Sequence, residues 1–272
     1  MSRIYSRRLY YSKGMKLEIK SPAKINLYLK ILNKRNDGYH DIETAFQYID
    51  LYDLLIFRKS KNQISISSDN PIFENDNNTI IQAIKKMQQY LTNSYGVNVR
   101  VEKKIPMGSG LGGASSNAAS TIVVLNKLWN LNLSQEKLLS IGKEIGADVP
   151  FFIFGRNALG KGVGEVLKDS ESIKNNILII DPRIHNSSKE MFSLYDLWKA
   201  NNNDIDDYSQ NSFWSIFLKK NNKIKKFYDE NINNYELKLS GSGSCMFIEY
   251  EKKQEIQQIL KKIPSNWRFF FV

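Results

Sequence analysis

Between Pro106 and Ser116 the chain reads Pro-Met-Gly-Ser-Gly-Leu-Gly-Gly-Ala-Ser-Ser, and no other stretch limits the fold so tightly. Ahead of it, Val97, Val99 and Val101 alternate with polar residues as a half-buried strand does, and Pro106 stops the ladder. Behind it, Ala118, Ala119, Ile122, Val123 and Leu125 predict a helix running towards Trp129. A glycine-rich turn from strand to helix lets several peptide N–H groups converge on one point, where the helix N-terminus adds partial positive charge. Such a point attracts an anion. A flexible solvent loop is the competing reading, and a strand before the glycines with an alanine-rich helix after them argues against it.

Two familiar nucleotide loops are excluded by context. Gly108, Gly110 and Gly113 satisfy G-x-G-x-x-G, but a dinucleotide fold needs a second strand ending in an acid roughly 20 residues later, and here the sequence leads into another helix. Gly108 and Gly113 have the Walker separation, yet Ala114 stands where a lysine must reach the β- and γ-phosphates.

The other classes are narrowed by composition. The 272 residues suffice for one large or two modest domains, and no apolar run approaches the roughly 18 residues of a membrane span. One cysteine, Cys245, forbids an internal disulfide, and two histidines, His40 and His185, forbid a three-histidine metal centre. A net charge of +11 suits an anionic partner without naming it: nucleic acid, an acidic membrane surface and a phosphorylated small molecule all fit. The lysines at 219, 220, 223, 225 and 226 are diluted by acids and asparagines, which reads as a solvated face.

Along the chain, residues 1–14 carry four cations and no acid and are expected as a leader outside the fold, from an upstream start or a targeting remnant. Lys16 to Leu32 predicts a strand interrupted at Pro22; Asp37-Gly38 a turn; Asp41 to Phe57 and Ile64 to Ser67 further strands. Asp69 to Asn78 and Asn201 to Ser209 read as polar loops. Thr79 is placed to cap a helix ended by Gly96, and Ser134 one ended by a left-handed Gly146. Val149-Pro150 is expected extended, with Phe151 to Phe154 a buried strand and a domain boundary near residue 155. Ile177 to Ile180 reads as a strand, Ser188 to Trp198 as a helix, and Leu237 to Leu239 with Cys245 to Ile248 as two strands around a Gly-Ser turn. The sum is an α+β protein with mixed element order.

Ser21-Pro22-Ala23-Lys24-Ile25-Asn26-Leu27, the stretch Pro106 to Ala119, and Leu239 to Ser244 resemble the three motifs of the GHMP small-molecule kinases in order and spacing. Arg35 to His40, Gly146 to Phe152 and Gly160 to Glu165 narrow the resemblance to the branch of that family whose acceptor is 4-diphosphocytidyl-2-C-methyl-D-erythritol. The resemblance spans Ser21 to Phe247. It implies a two-domain GHMP fold, with mixed sheets, helices packed on them and the site in the cleft: residues 15–155 as the ATP-binding domain and 156–272 as the substrate domain.

The same resemblance implies residue roles. Pro106, Met107, Gly108, Ser109, Gly110, Leu111, Gly112, Gly113, Ala114, Ser115 and Ser116 would wrap the ATP phosphates, with Mg2+ neutralising them and no metal ligand assigned. Asp148 would be the catalytic base and Lys24 its partner, oriented by Asn26. A carboxylate that takes the proton of an alcohol, with a cation beside the phosphoryl oxygens, is what phosphoryl transfer needs. Tyr39 and His40 would hold the cytosine, Phe192 close its other face, and Gly241 and Ser242 close the site near the phosphates. Ala114 departs from a glycine common in the family's loop. Another GHMP kinase, for a mevalonate-like or homoserine-like substrate, has no base to stack; a basic nucleic-acid-binding protein would need a recognition module the sequence lacks. The expected partner is therefore a small molecule carrying cytidine diphosphate, with no nucleic acid, no membrane and no required oligomer, in the cytoplasm unless residues 1–14 direct the chain to an organelle.

Overall fold

Two long strands organise the molecule. In the computed structural model, which describes residues 10–12, 16–69, 78–92, 95–173, 175–201 and 210–272, β1 (Tyr10–Ser12) pairs with β2 (Lys16–Lys34), and β2 with β3 (His40–Ser60), all antiparallel. There follow β4 (Ile64–Ser68), α1 (Thr79–Gln88), β5 (Gly96–Glu102), α2 (Gly113–Leu128), α3 (Gln135–Ile145), α4 (Val149–Phe154), β6 (Ala158–Lys161) and β7 (Val166–Asp169). These strands form one seven-stranded sheet in which β4 alone runs parallel to its neighbour, β5. The second sheet is four-stranded, order β11-β8-β10-β9, built from β8 (Asn176–Asp181), β9 (Lys238–Leu239), β10 (Met246–Tyr250) and β11 (Arg268–Phe271). Helices α5 (Ser188–Ala200), α6 (Trp214–Lys220), α7 (Asn222–Asp229) and α8 (Gln257–Lys262) cover it. This is the expected α+β architecture.

Strand alternation sorts the side chains into three cores. Helices α1 to α4 pack on one face of the large sheet through Leu17, Ile19, Leu55, Phe57, Val97, Val99 and Val101. On β8, Leu178 and Ile180 face the second helical layer while Ile177 and Ile179 face the large sheet. A strand buried on both faces must read as an unbroken apolar run, as Ile177 to Ile180 does. The third core joins the sheets through Ala23, Ile25, Ile49, Leu51, Ile105, Leu111 and Phe247.

Pro22 does not break β2; it marks a register shift between Pro22 and Ala23. Across it the partner on β3 jumps from Tyr52 to Ile49, skipping Asp50 and Leu51, and the irregularity turns the strand over. Leu17 and Ile19 face the helices, whereas Ala23 and Ile25, of the same parity, face the other sheet. The slip thereby turns Lys24 and Asn26 towards the helical side. Without it Lys24 would share the outward face of Glu18 and exposed Lys20.

Several local expectations are corrected. Val149–Phe154 is a helix, not a strand, with Pro150 in its first turn, where a missing N–H costs nothing. Its all-round burial hides any period. Gly146 is extended at φ 178° instead of left-handed. Asn78, not Thr79, caps α1, accepting from Ile80 N, while the Thr79 hydroxyl donates to Ala114 O. Helix α1 stops at Gln88, and Gly96 instead opens β5, where a Cβ would lie 2.1 Å from Gln63 O. Of the expected leader only Tyr10–Ser12 falls within the described residues, as β1; most of both polar loops, 69–78 and 201–209, lies outside them. No helix among the described residues is long and apolar enough to cross a membrane.

Candidate active site

Lys24 and Asp148, 124 positions apart in the numbering, meet with Nζ 3.3 Å from Oδ2. Lys24 is all but buried at 3% exposure, while Asp148, at the head of α4, keeps 31% of its side chain open to the cavity. The ammonium also donates to Asn26 Oδ1 at 2.5 Å. Asn26 Nδ2 donates to Thr44 Oγ1 at 2.8 Å, and that hydroxyl donates to Tyr28 O at 2.6 Å. The chain of donors holds the Lys24 charge beside the carboxylate.

The glycine loop is stitched down by its carbonyls. Those of Gly108, Ser109, Gly110, Leu111 and Gly112 accept, in turn, from Asn186 N (2.9 Å), Cys245 N (2.9 Å), the Ser240 hydroxyl (3.1 Å), Lys24 N (3.0 Å) and Ser116 N (2.9 Å). With the oxygens turned into the protein, the N–H groups turn outward. Those of Gly110, Gly112 and the first three residues of α2 find no protein acceptor among the described residues. Gly110 and Gly112 are left-handed, and a Cβ on Gly110 would lie 2.0 Å from Ser240 O. Only glycine permits that approach. The outcome is a cradle of amides at a helix N-terminus, suited to phosphate.

The cradle and the Lys24–Asp148 pair line one cavity of about 530 Å³. Of the residues expected there, Pro106 to Gly110, Gly112 to Ser115, Asn26, Phe192, Gly241 and Ser242 are on its wall. Leu111 and Ser116 are not. Leu111 is fully buried between the sheets, and the Ser116 hydroxyl bonds Ser21 Oγ at 2.8 Å beneath the loop. Leu111 turns into the core between the sheets, and Ser116, already within α2, is on the helix face that packs on β2. Ala114, the departure from glycine, is on the wall and its Cβ is accommodated.

The expected base site is arranged differently from the expectation. Tyr39 is 62% exposed on the β2–β3 turn and is not on the cavity wall. His40 is buried and stacks directly on Phe192, centroids 4.9 Å apart at 18°. No third ring fits between them.

Sequence reasoning missed three other features. His185 lines the cavity against Gly108, whose Cβ would lie 2.0 Å from its Nδ1. Lys103 also lines it, held by Asp53, which is fully buried, with Nζ to Oδ2 2.5 Å. Asp53 further accepts from Lys104 N, Ile105 N and Asn117 Nδ2 at 2.8 to 2.9 Å, so one carboxylate braces both the approach to the loop and helix α2. A legible signal existed: Asp53 alternates with Leu55 and Phe57 on the helix-covered face of β3, where a charge needs a partner.

Known proteins resemble this arrangement along nearly the whole chain. The family model described as the GHMP kinases N terminal domain matches residues 78–156. A protein of Francisella philomiragia subsp. philomiragia named 4-diphosphocytidyl-2-C-methyl-D-erythritol kinase is 38% identical over 254 residues, covering 90% of this chain and 92% of its own. One of the same name from Ralstonia nicotianae is 34% identical, covering 91% of this chain and 90% of its own. The chain belongs to the 4-diphosphocytidyl-2-C-methyl-D-erythritol kinase family. A crystal structure of 4-(cytidine 5'-diphospho)-2C-methyl-D-erythritol kinase matches with TM-score 0.74 at 25% identity, covering 93% of this chain and 97% of that one. The mevalonate kinase of Methanococcus jannaschii, at TM-score 0.65 and 16% identity over 96% of this chain and 98% of its own, shares the fold. Membership in this kinase family brings ATP as the phosphoryl donor.

Proposed function

We infer that this chain transfers the γ-phosphoryl group of ATP to the 2-hydroxyl of 4-diphosphocytidyl-2-C-methyl-D-erythritol, in the non-mevalonate route to isoprenoid precursors. The observation that carries the reading is the meeting of Lys24 and Asp148 beside the amide cradle in one cavity. In this reading the outward N–H groups of Gly110 and of Gly112 to Ser115 receive the triphosphate. Asp148 accepts the proton of the acceptor hydroxyl as its oxygen attacks the γ-phosphorus, the bridging P–O bond breaks, and ADP leaves with the electron pair. Lys24 supplies positive charge to the transferring oxygens without moving, because Asn26 holds it. Phe192 and Ser242 border the acceptor, and His40 with Tyr39 serve its base.

No cluster of three or more metal-ligating side chains exists among the described residues. Magnesium commonly binds through one or two protein oxygens and the phosphates themselves. Asp148 and Ser115, both on the wall, are the oxygens that would hold it, and the ion would supply charge neutralisation of the triphosphate. The division at residue 155 leaves the loop and Asp148 in the first part and Phe192 with the Ser240–Ser244 turn in the second. The reading is tested by ADP release with 4-diphosphocytidyl-2-C-methyl-D-erythritol, with mevalonate and with no acceptor. Turnover with the first alone is expected; turnover with mevalonate alone overturns it.

A further inference from the structure

His40 opens β3 with 6% of its surface exposed, and its Nε2 lies 2.7 Å from Asp196 Oδ1. The other oxygen of Asp196 accepts from Lys34 Nζ, also at 2.7 Å. Helix α5 presents Phe192, Tyr195 and Asp196 on one face, at spacings of three and four, and all three meet the imidazole. Phe192 stacks on it, and Tyr195 stands edge-on at 6.0 Å. Partial burial works against the Asp196 charge, yet hydrogen bonds from Lys34 and His40 hold its carboxyl below the usual range. An ionised carboxylate only accepts, so Nε2 carries a proton. Nδ1 has no hydrogen-bond partner among the described residues, and it is not sealed: the fully buried unpaired side-chain atoms there are Trp129 Nε1 and Asn231 Oδ1.

We propose that Asp196 is a positioning residue that fixes the His40 ring with Nε2 inward and Nδ1 towards the base, so that the acceptor site selects cytosine over uracil. The inference rests on the functional reading above, in which His40 serves the base. With Nε2 protonated towards Asp196, Nδ1 of the neutral ring is a lone pair facing the group on C4 of the base, and it accepts from the cytosine N4 amine. Uracil offers O4 there, a second acceptor that cannot donate. A ring free to flip, or with its proton moved, loses that discrimination.

The chain's two histidines make the imidazole spectrum simple to assign, with His185→Ala identifying the second ring. In 15N-labelled protein the His40 ring is expected to show its proton on Nε2, and Asp196→Asn to abolish that uniform state. A proton confined to Nδ1 in the wild type overturns the proposal. Calorimetric titration with CDP and with UDP gives the second readout. Wild type should prefer CDP by about tenfold, the worth of one hydrogen bond to a charged or polar partner, and Asp196→Asn and Asp196→Ala should erase most of that preference. In turnover, the same variants should raise KM for the cytidine substrate about tenfold and leave KM for ATP within about twofold. Equal rises in both KM values would make Asp196 a general brace and overturn the proposal. Wild-type preference for CDP without kinase turnover would overturn the functional reading and leave this one standing; turnover with equal CDP and UDP binding would do the reverse.

Discussion

The Asp53–Lys103 pair offers a quantitative test of how the glycine loop is held. Asp53 is fully buried and the Lys103 side chain is 6% exposed, so removing either partner strands a charge away from water. Breaking such a pair costs about 3–5 kcal/mol. Lys103→Met should fall at the lower end, about 3 kcal/mol, because Asp53 keeps two backbone donors and Asn117. Asp53→Asn fares no better, since its amide must face either the N–H groups of Lys104 and Ile105 or the Lys103 ammonium and the Asn117 amide. The double variant removes one of those donor-to-donor conflicts, so its loss should be smaller than the summed singles by about 2 kcal/mol. Equilibrium urea unfolding of the four proteins measures this coupling. Since Lys103 lines the cavity, KM for ATP should rise in both single variants while KM for the acceptor changes little. Losses that add within about 0.5 kcal/mol would refute the claim that the two residues act as one unit.

Asp148→Asn should lower kcat about 10²-fold or more with nucleotide affinity nearly intact, and unchanged single-turnover rates would remove it from the base role. Gly110→Ala places a Cβ 2.0 Å from Ser240 O in a left-handed residue; it should weaken ATP binding at least tenfold and lower the unfolding midpoint, as fluorescence titration and urea unfolding would report. Glu165 accepts from Val163 N and Lys143. Burial works against its charge, yet those bonds hold its carboxyl below the usual range. Its stabilising contribution is therefore complete above the unfolded value, about 4.3, and vanishes as pH falls through the lower folded value. The stability gap between wild type and Glu165→Gln should be present at neutral pH and close in acid; a gap that widens in acid would contradict the assignment.

What could be read from the chain was whatever chemistry is contiguous. The glycine loop works through its own backbone, so its glycines announce it. Lys24 and Asp148 were reachable only through the motifs around them, since nothing local says that a strand lysine and a residue before a short helix will meet. The short helix α4 was misread because Val149, Phe151, Phe152 and Ile153 are all buried, and a fully apolar run has neither period. Its proline argued for an extended predecessor, and packing prevailed over that preference. Lys103 and Asp196 went unnoticed for another reason: an ion pair between distant segments leaves no spacing to detect, and only Asp53 stands out, as a charge among the apolar alternate positions of β3. The shift at Pro22 was visible only as a proline, although it decides which side of the sheet Lys24 occupies.

Five successive carbonyls of the glycine loop are claimed by residues at 24, 116, 186, 240 and 245. The amide cradle is thus assembled from both ends of the polypeptide. A nascent chain halted short of Ser240 lacks two of those five anchors, and no excised loop peptide would reproduce the outward amides. Competence to hold ATP should arrive late in synthesis and all at once, as a property of the finished chain.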